Sequence, residues 1–262
     1  TNGAAINQAV DDSCTPLFVA CEEGYTVVAS LLLTNGAAIN QAVDDGRTPL
    51  FVACYRGHTK VASLLLTNGA AVNQAYGDGA TPLYIACYRG HTEVASLLLT
   101  NGAAINQAVD DSCTPLFVAC EEGYTVVASL LLTNGAAINQ AVDDGRTPLF
   151  VACYQGHTEV ASLLLTNGAE VDQADTGGRT PLYVACYRGH TELASLLLTN
   201  GAAISQAMDD SCTPLFVACQ EGHTEVASLL LTNGAAINQA MDDSCTPLFI
   251  ACQEGHAELA SL

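Results

Sequence analysis

The stretch CYRGH, Cys54 to His58, holds two side chains that can do chemistry. A thiol and an imidazole four residues apart would share one face if the segment were a single helix. Such a pair could be a nucleophile with its general base, or half of a metal site. The same Cys-x-x-Gly-His pattern recurs at Cys87–His91, Cys153–His157, Cys186–His190, Cys219–His223 and Cys252–His256. At Cys21–Tyr25 and Cys120–Tyr124 a Tyr replaces the His. An active site is rarely built eight times along one chain, whereas a structural unit often is, so the period must be read before the chemistry.

All eight prolines sit in Thr-Pro-Leu triplets, from Pro16 to Pro247, each 33 residues from the next. No linker, composition shift or low-complexity tract interrupts them. The length would ordinarily suggest one or two globular domains, but a strict short period suggests one array over residues 1–262 in which each repeat contacts its neighbours. Its units are 1–33, 34–66, 67–99, 100–132, 133–165, 166–198, 199–231 and 232–262. In the second unit Thr48 is a good N-cap and Pro49 suits the first helical position, where its missing N–H would be unpaired anyway. Leu50, Ala53 and Cys54 then make a short apolar helical face, which Gly57 ends. A second helix starts near Thr59, carries Val61, Leu64 and Leu65, and stops at Asn68-Gly69. The link AVDDGR has hairpin character. Neither helix is long enough to be stable alone in water, so each unit must bury its apolar face on the next copy. Because Gly57 separates Cys54 from His58, the two do not share a helix face. A small buried thiol and a His that fixes the inter-helix turn are the expected roles.

The run DGRTPLFVACYRGHTKVASLLLTNGAAIN resembles the ankyrin repeat, with its Thr-Pro-Leu, Gly-His, Leu-Leu and Gly-Ala elements at a 33-residue period, in all eight copies. The resemblance implies an all-α solenoid of stacked antiparallel helix pairs with β-hairpin-like loops to one side. It also implies binding of other proteins through hairpin tips and inner helices. There are departures. Phe or Tyr, as at Phe51 and Tyr84, stands where relatives have His after Thr-Pro-Leu, which calls the hydrogen bonds of that His into question. Gly-Ala-Ala replaces Gly-Ala-Asp except at Glu170. Ser13, Ser112, Ser211 and Ser244 replace the Gly before the Thr-Pro step, each followed by Cys. Serine tolerates positive φ poorly, so these four hairpins are expected to be strained or differently shaped.

Seven Lys and Arg face 27 Asp and Glu, a net charge of −20. Nucleic-acid binding needs clustered cations, which are absent, and anionic membrane surfaces are disfavoured for the same reason. Basic proteins or peptides are the natural partners by long-range attraction; the alternative is that the acidic residues simply keep an apolar-rich array soluble. The longest apolar-plus-Ser run, VVASLLL, is far too short to span a bilayer. Of 12 cysteines, eight form one column after Ala and four, Cys14, Cys113, Cys212 and Cys245, lie in hairpins. Packed helices sit about 8–10 Å apart while bridged Cα atoms lie within about 7 Å, so like cysteines in a column should not bridge. There is no Cys-x-x-Cys pair for zinc, and no cofactor or enzyme activity is expected. Free thiols favour a reducing, intracellular setting, and the cytoplasm is the expected location.

The copies themselves provide a comparison. Residues that every copy shares build the repeat; those that change are free for something else. Changes fall in the hairpins and at the end of helix one. The hairpin set is Val43, Tyr76 and Asp175 in one column, the neighbouring Asp44 and Asp45, and Arg47, Arg146 and Arg179 in another. The helix-end set is Glu22-Glu23, Tyr55-Arg56, Tyr88-Arg89, Glu121-Glu122, Tyr154-Gln155, Tyr187-Arg188 and Gln220-Glu221. The resemblance places both on the concave binding face, and Tyr and Arg are typical of interface hot spots. Neutral drift at exposed positions is the competing reading. Residues 1–99 and 100–198 differ at only ten positions, which suggests that three repeats were copied as a block.

A protein-binding scaffold is therefore the leading expectation, and an elastic spacer within a very large protein its rival. The adjacent Tyr-Arg pairs are expected to form one aromatic, basic patch and its copy three repeats on, roughly 25–30 Å away, flanked by acidic bands. The chain reads as an excerpt of a longer array, opening on the last turn of a second helix. Apolar side chains at its ends (Leu17, Val28 and Leu32; Leu248 and Leu259) are expected to be exposed and to favour head-to-tail stacking.

Overall fold

The computed structural model describes residues 5–261; the helical turn expected at the very start of the chain, residues 1–4, lies outside them. The chain forms two compact units, Thr1–Ala137 and Ile138–Leu262. The first holds four helix pairs: α1 (Pro16–Glu22) with α2 (Thr26–Thr34), α3 (Pro49–Arg56) with α4 (Thr59–Thr67), α5 (Pro82–Tyr88) with α6 (Thr92–Thr100), and α7 (Pro115–Glu121) with α8 (Thr125–Thr133). The second holds α9 (Pro148–Gln155) with α10 (Thr158–Thr166), α11 (Pro181–Tyr187) with α12 (Thr191–Thr199), α13 (Pro214–Gln220) with α14 (Thr224–Thr232), and α15 (Pro247–Gln253) followed by a 3-10 turn at Leu259–Ser261. Within each unit the first helices of successive pairs pack closely on one another, and the second helices more loosely. The described residues contain no strand; each hairpin is closed by a backbone bond such as Val43 N–H to Arg47 O at 3.0 Å, and an isolated bridge joins Tyr76 and Ala80.

Local chemistry sets the boundaries. Thr48 Oγ1 accepts from the Phe51 N–H at 3.1 Å and Pro49 takes the first helical position; the other seven first helices begin the same way. These helices are only seven or eight residues long, so burial must hold them. Leu50, Ala53 and Cys54 are at most 1% exposed, as are Val61, Ala62 and Leu65 on the facing helix. Gly57, at φ 76°, closes α3: its N–H donates to Cys54 O and the His58 N–H to Ala53 O, at 3.2 and 2.9 Å.

Adjacent repeats are also joined by a polar seam. Asn40 Oδ1 accepts from the Ala71 N–H at 2.9 Å and Asn73 Oδ1 from the Ala104 N–H at 2.8 Å. Asp172 does the same for Ala203 at 2.9 Å, so a carboxylate oxygen replaces the amide oxygen without loss of the bond.

Three of the four serine hairpins, at Ser112, Ser211 and Ser244, keep the shape of the glycine ones; at Ser13 the hairpin is differently shaped, a 3-10 turn over Asp11–Ser13 with Asp12 also left-handed at φ 62°. Gly46 donates to Val43 O at 2.8 Å with φ 94°, and Ser244 donates to Met241 O at 2.9 Å with φ 69°. At Ser112, Ser211 and Ser244 the expectation of a different shape is therefore corrected: the turn is preserved and the serine enters the left-handed region. That conformation costs a side-chain-bearing residue about 1–2 kcal/mol, part of which glycine forfeits through its freer unfolded chain. Ser244→Gly is expected to stabilise the protein by about 0.5–1 kcal/mol, seen as a higher urea midpoint. Ser211→Gly should gain less, because Ser211 Oγ donates to Asp242 Oδ1 at 2.7 Å. Equal gains at both positions would show that this hydroxyl contributes nothing.

Two expectations about the ends are corrected. Leu17 is 1% and Leu259 6% exposed, so neither presents a bare apolar side chain. Val28 and Leu248 are exposed as expected, at 46% and 54%.

Candidate functional site

The recurrent Cys-x-x-Gly-His unit is a clasp between repeats. Cys54 and His58 point apart: the thiol is fully buried, and the imidazole reaches back to the preceding repeat. There His58 Nε2–H donates to Glu22 O at 3.0 Å, meeting a carbonyl that the end of α1 leaves without an intrahelical partner. The bonds His91–Tyr55, His190–Tyr154, His223–Tyr187 and His256–Gln220 repeat it at 3.1, 3.4, 3.0 and 3.0 Å. Each ring lies over the glycine of the repeat before. A Cβ on Gly57 would stand 2.8 Å from the His91 ring, and one on Gly189 2.7 Å from that of His223. Tyr124 fills the same place over Gly90, with its ring 2.9 Å from a Cβ there. The sequence suggested that His fixes its own turn; it fixes the preceding repeat's.

Burial pushes the thiols of Cys54, Cys87, Cys120, Cys153 and Cys186 well above the ordinary range, and that of Cys21 up to about 12. These are poor nucleophiles, since the thiolate is the reactive form. Among the described residues no three His, Cys, Asp or Glu side chains gather as a metal site.

Burial also lowers the pKa of His190 from 6.5; its bond to Tyr154 O works the other way, and Arg188, His223 and His157 lower it further. The unfolded chain thus binds a proton at His190 more readily than the folded one. The stability tied to the neutral ring is complete above the unfolded pKa and is lost as pH falls from there through the folded pKa. Between about pH 7 and pH 5.5 the melting temperature should fall, and His190→Gln should flatten that slope. A slope unchanged by the substitution would exclude His190 as its source.

The variable helix ends form an aromatic and charged row in each unit. In the first, the Arg89 guanidinium lies over the Tyr55 ring at 4.8 Å, with Arg56 5.7 Å from the same ring. Arg56 Nη2 also pairs with Glu22 Oε1 at 2.8 Å. In the second, Arg188 lies over Tyr154 at 4.8 Å. Tyr88 and Tyr187 are 41% and 40% exposed. Glu23, Arg56, Arg89, Glu122, Gln155, Arg188, Gln220 and Glu221 are exposed, and Glu22, Tyr55, Glu121 and Tyr154 half-buried.

The hairpin set is less uniform than its sequence suggested. Asp44 and Asp45 are exposed at a tip, but Val43 and Asp175 are each only 7% exposed. Those two are corrected from surface residues to anchors of their hairpins. Val43 packs inward, and Asp175 accepts from the Arg179 backbone at 2.9 Å and pairs with its guanidinium at 2.6 Å. Tyr76 packs tilted against Phe51, with ring centroids 5.1 Å apart. Arg47 pairs with Asp45 at 2.6 Å and Arg146 with Asp144 at 2.7 Å, both within their own hairpins.

One pairing escaped the sequence reading. The aromatic residue after Thr-Pro-Leu meets the hairpin residue 29 positions later: Arg47 lies over Phe18 at 5.7 Å and Arg179 over Phe150 at 5.9 Å, whereas Tyr84 OH and Tyr183 OH contact Cys113 and Cys212 Sγ at 3.7 and 3.6 Å. The signal was present but not specific, since each Tyr at this position has a Cys 29 residues on, and so does Phe216.

A family profile described as ankyrin repeats (3 copies) matches residues 2–76, 68–142, 128–208 and 200–262. The chain belongs to the ankyrin-repeat family. A solved relative is the human ASB11 ankyrin repeat domain, 29% identical with a TM-score of 0.77, covering 85% of this chain and 99% of its own. The search of curated protein sequences returned no match. Ankyrin repeats are in general protein–protein interaction modules, so the stacked helix pairs and the class of function agree. No described helix of this ankyrin-repeat chain is long and apolar enough to cross a membrane.

Proposed function

We propose that this chain is a non-catalytic scaffold that binds a protein or peptide partner on the face made by its hairpin tips and the ends of its first helices. The observation that carries this reading is where the copies differ. The shared residues are the caps, clasps and core; the changing ones are largely exposed Tyr, Arg, Glu and Gln at the ends of the first helices. Tyr and Arg join large contact area to polar groups at modest entropy cost, which suits them to recognition. With a net charge of −20, basic segments of a partner are drawn in from a distance.

The test is capture of a partner from the source cell, followed by binding of Tyr55→Ala, Tyr88→Ala, Tyr154→Ala and Tyr187→Ala variants. Each substitution at a hot spot should weaken the complex by about 1–2 kcal/mol. Four correctly folded variants that bind like the parent would show the rows to be ordinary solvated surface.

A further inference from the structure

We infer that Tyr55 with Arg89, and Tyr154 with Arg188, are receptors for a carboxylate side chain of the protein partner. The inference deepens the proposed scaffold reading and rests on it for the partner being a protein. It starts from an imbalance. In a chain with 27 acidic residues, Arg89 and Arg188 have no carboxylate within ion-pair distance among the described residues. Arg47, Arg56, Arg146 and Arg179 each have one. What Arg89 and Arg188 have instead is the ring of a tyrosine from the preceding repeat, 4.8 Å from the guanidinium carbon in both units.

A guanidinium laid on an aromatic ring uses its face there and keeps its N–H edge for another partner. Stacking also reduces the side-chain freedom that binding would otherwise have to remove. A carboxylate matches that edge with two parallel hydrogen bonds. The surrounding charge favours one negative charge over two: Glu122 and Glu221 are exposed one repeat beyond Arg89 and Arg188. A dianionic phosphoryl group would meet repulsion that a carboxylate meets less. The same acidic neighbours ask for a cation beside the partner's carboxylate. Repeats about 8–10 Å apart correspond to about three residues of extended chain, so the fitting segment carries an acidic residue with a basic one three positions away. In this arrangement Tyr55 and Tyr154 are positioning residues and the arginines make the contact.

The probe is the capped peptide Lys-Ser-Ser-Glu-Ser-Ser-Lys, whose symmetry sets one Lys toward the acidic neighbour in either chain direction. It is titrated into the full chain while the arginine Nε–H signals are followed by NMR. The same peptide with Gln for Glu is the control, and inorganic phosphate a further arm. Arg89 and Arg188 signals should move saturably with the Glu peptide and little with the Gln peptide, while those of Arg47 and Arg146 stay. Arg89→Lys, which removes the Nε–H signal and is therefore followed through the Tyr55 ring signals, should weaken binding in the first unit about fivefold; Tyr55→Leu, read on Arg89, should weaken it about threefold, with Tyr55→Phe retaining it because the ring face is kept. Equal responses to the Glu and Gln peptides, a uniform shift of all arginines, or no saturable shift would overturn the proposal. A stronger saturable response to phosphate would overturn it in favour of a phosphoryl ligand. Failure here alongside partner capture that still depends on Tyr88 and Tyr187 would leave the scaffold reading standing. Failure of that reading would appear as tyrosine variants that capture the partner undiminished, which the titration does not test.

Discussion

Gly189→Ala should destabilise the protein by about 3–6 kcal/mol, a larger loss than any surface change in the chain would give. Three costs coincide. Gly189 has φ 74°, where an alanine pays about 1–2 kcal/mol. Its Cβ would stand 2.7 Å from the His223 ring, so the ring or the backbone must move, at about 1–3 kcal/mol. Moving the ring also breaks the 3.0 Å bond from His223 to Tyr187 O, worth about 1 kcal/mol. Urea unfolding measures the sum, and a double-mutant cycle separates the parts. His223→Ala alone should cost about 1 kcal/mol, but added to Gly189→Ala it should cost nothing further or restore stability, because the clash is gone. Strict additivity of the two substitutions would mean that ring and glycine do not oppose each other, and the clasp as described would be wrong.

That clasp shows what was legible in the sequence and what was not. The helix pairs were readable because their signals are local: Thr48 and Pro49 start α3, and Gly57 ends it within a few residues of the apolar side chains they bracket. The partners of His58 and Asn40 were not readable, since their bonds reach 36 and 31 residues along the chain. A 33-residue period says that such partners lie in a neighbouring copy, but not which atom meets which. The glycine of Gly-His was read only as the end of its helix; that it is left-handed and that a neighbour's ring forbids a Cβ there needed the packed array. The hairpin columns misled for a related reason. Variation marks positions that the fold does not fix, but Val43 and Asp175 vary because different side chains can anchor a hairpin, one by packing and the other by its pair with Arg179. The helix-end columns, by contrast, are exposed or half-buried as their variation suggested.

The thiols give the second large effect, and they decide the question raised by CYRGH. At about pH 8, iodoacetamide should modify Cys252 quickly, since it is exposed. Cys54, Cys87, Cys120, Cys153 and Cys186 are 0% exposed, and burial holds their thiols in the protonated form. They can react only when a repeat opens. An opening free energy of about 4 kcal/mol would slow them about a thousandfold, and sub-denaturing urea should speed them in proportion to the surface that opening exposes. His58→Ala then distinguishes two mechanisms by sign. Were His58 the general base of Cys54, its removal would slow modification of that thiol. In the clasp, its removal deletes the bond to Glu22 O and the ring over Gly24, so the interface opens more often and Cys54 reacts faster. A loss of about 1–1.5 kcal/mol in the opening free energy corresponds to a roughly fivefold to tenfold acceleration. Slower labelling of Cys54 in His58→Ala, with folding intact, would restore the thiol–imidazole pair as chemistry and refute its purely structural role.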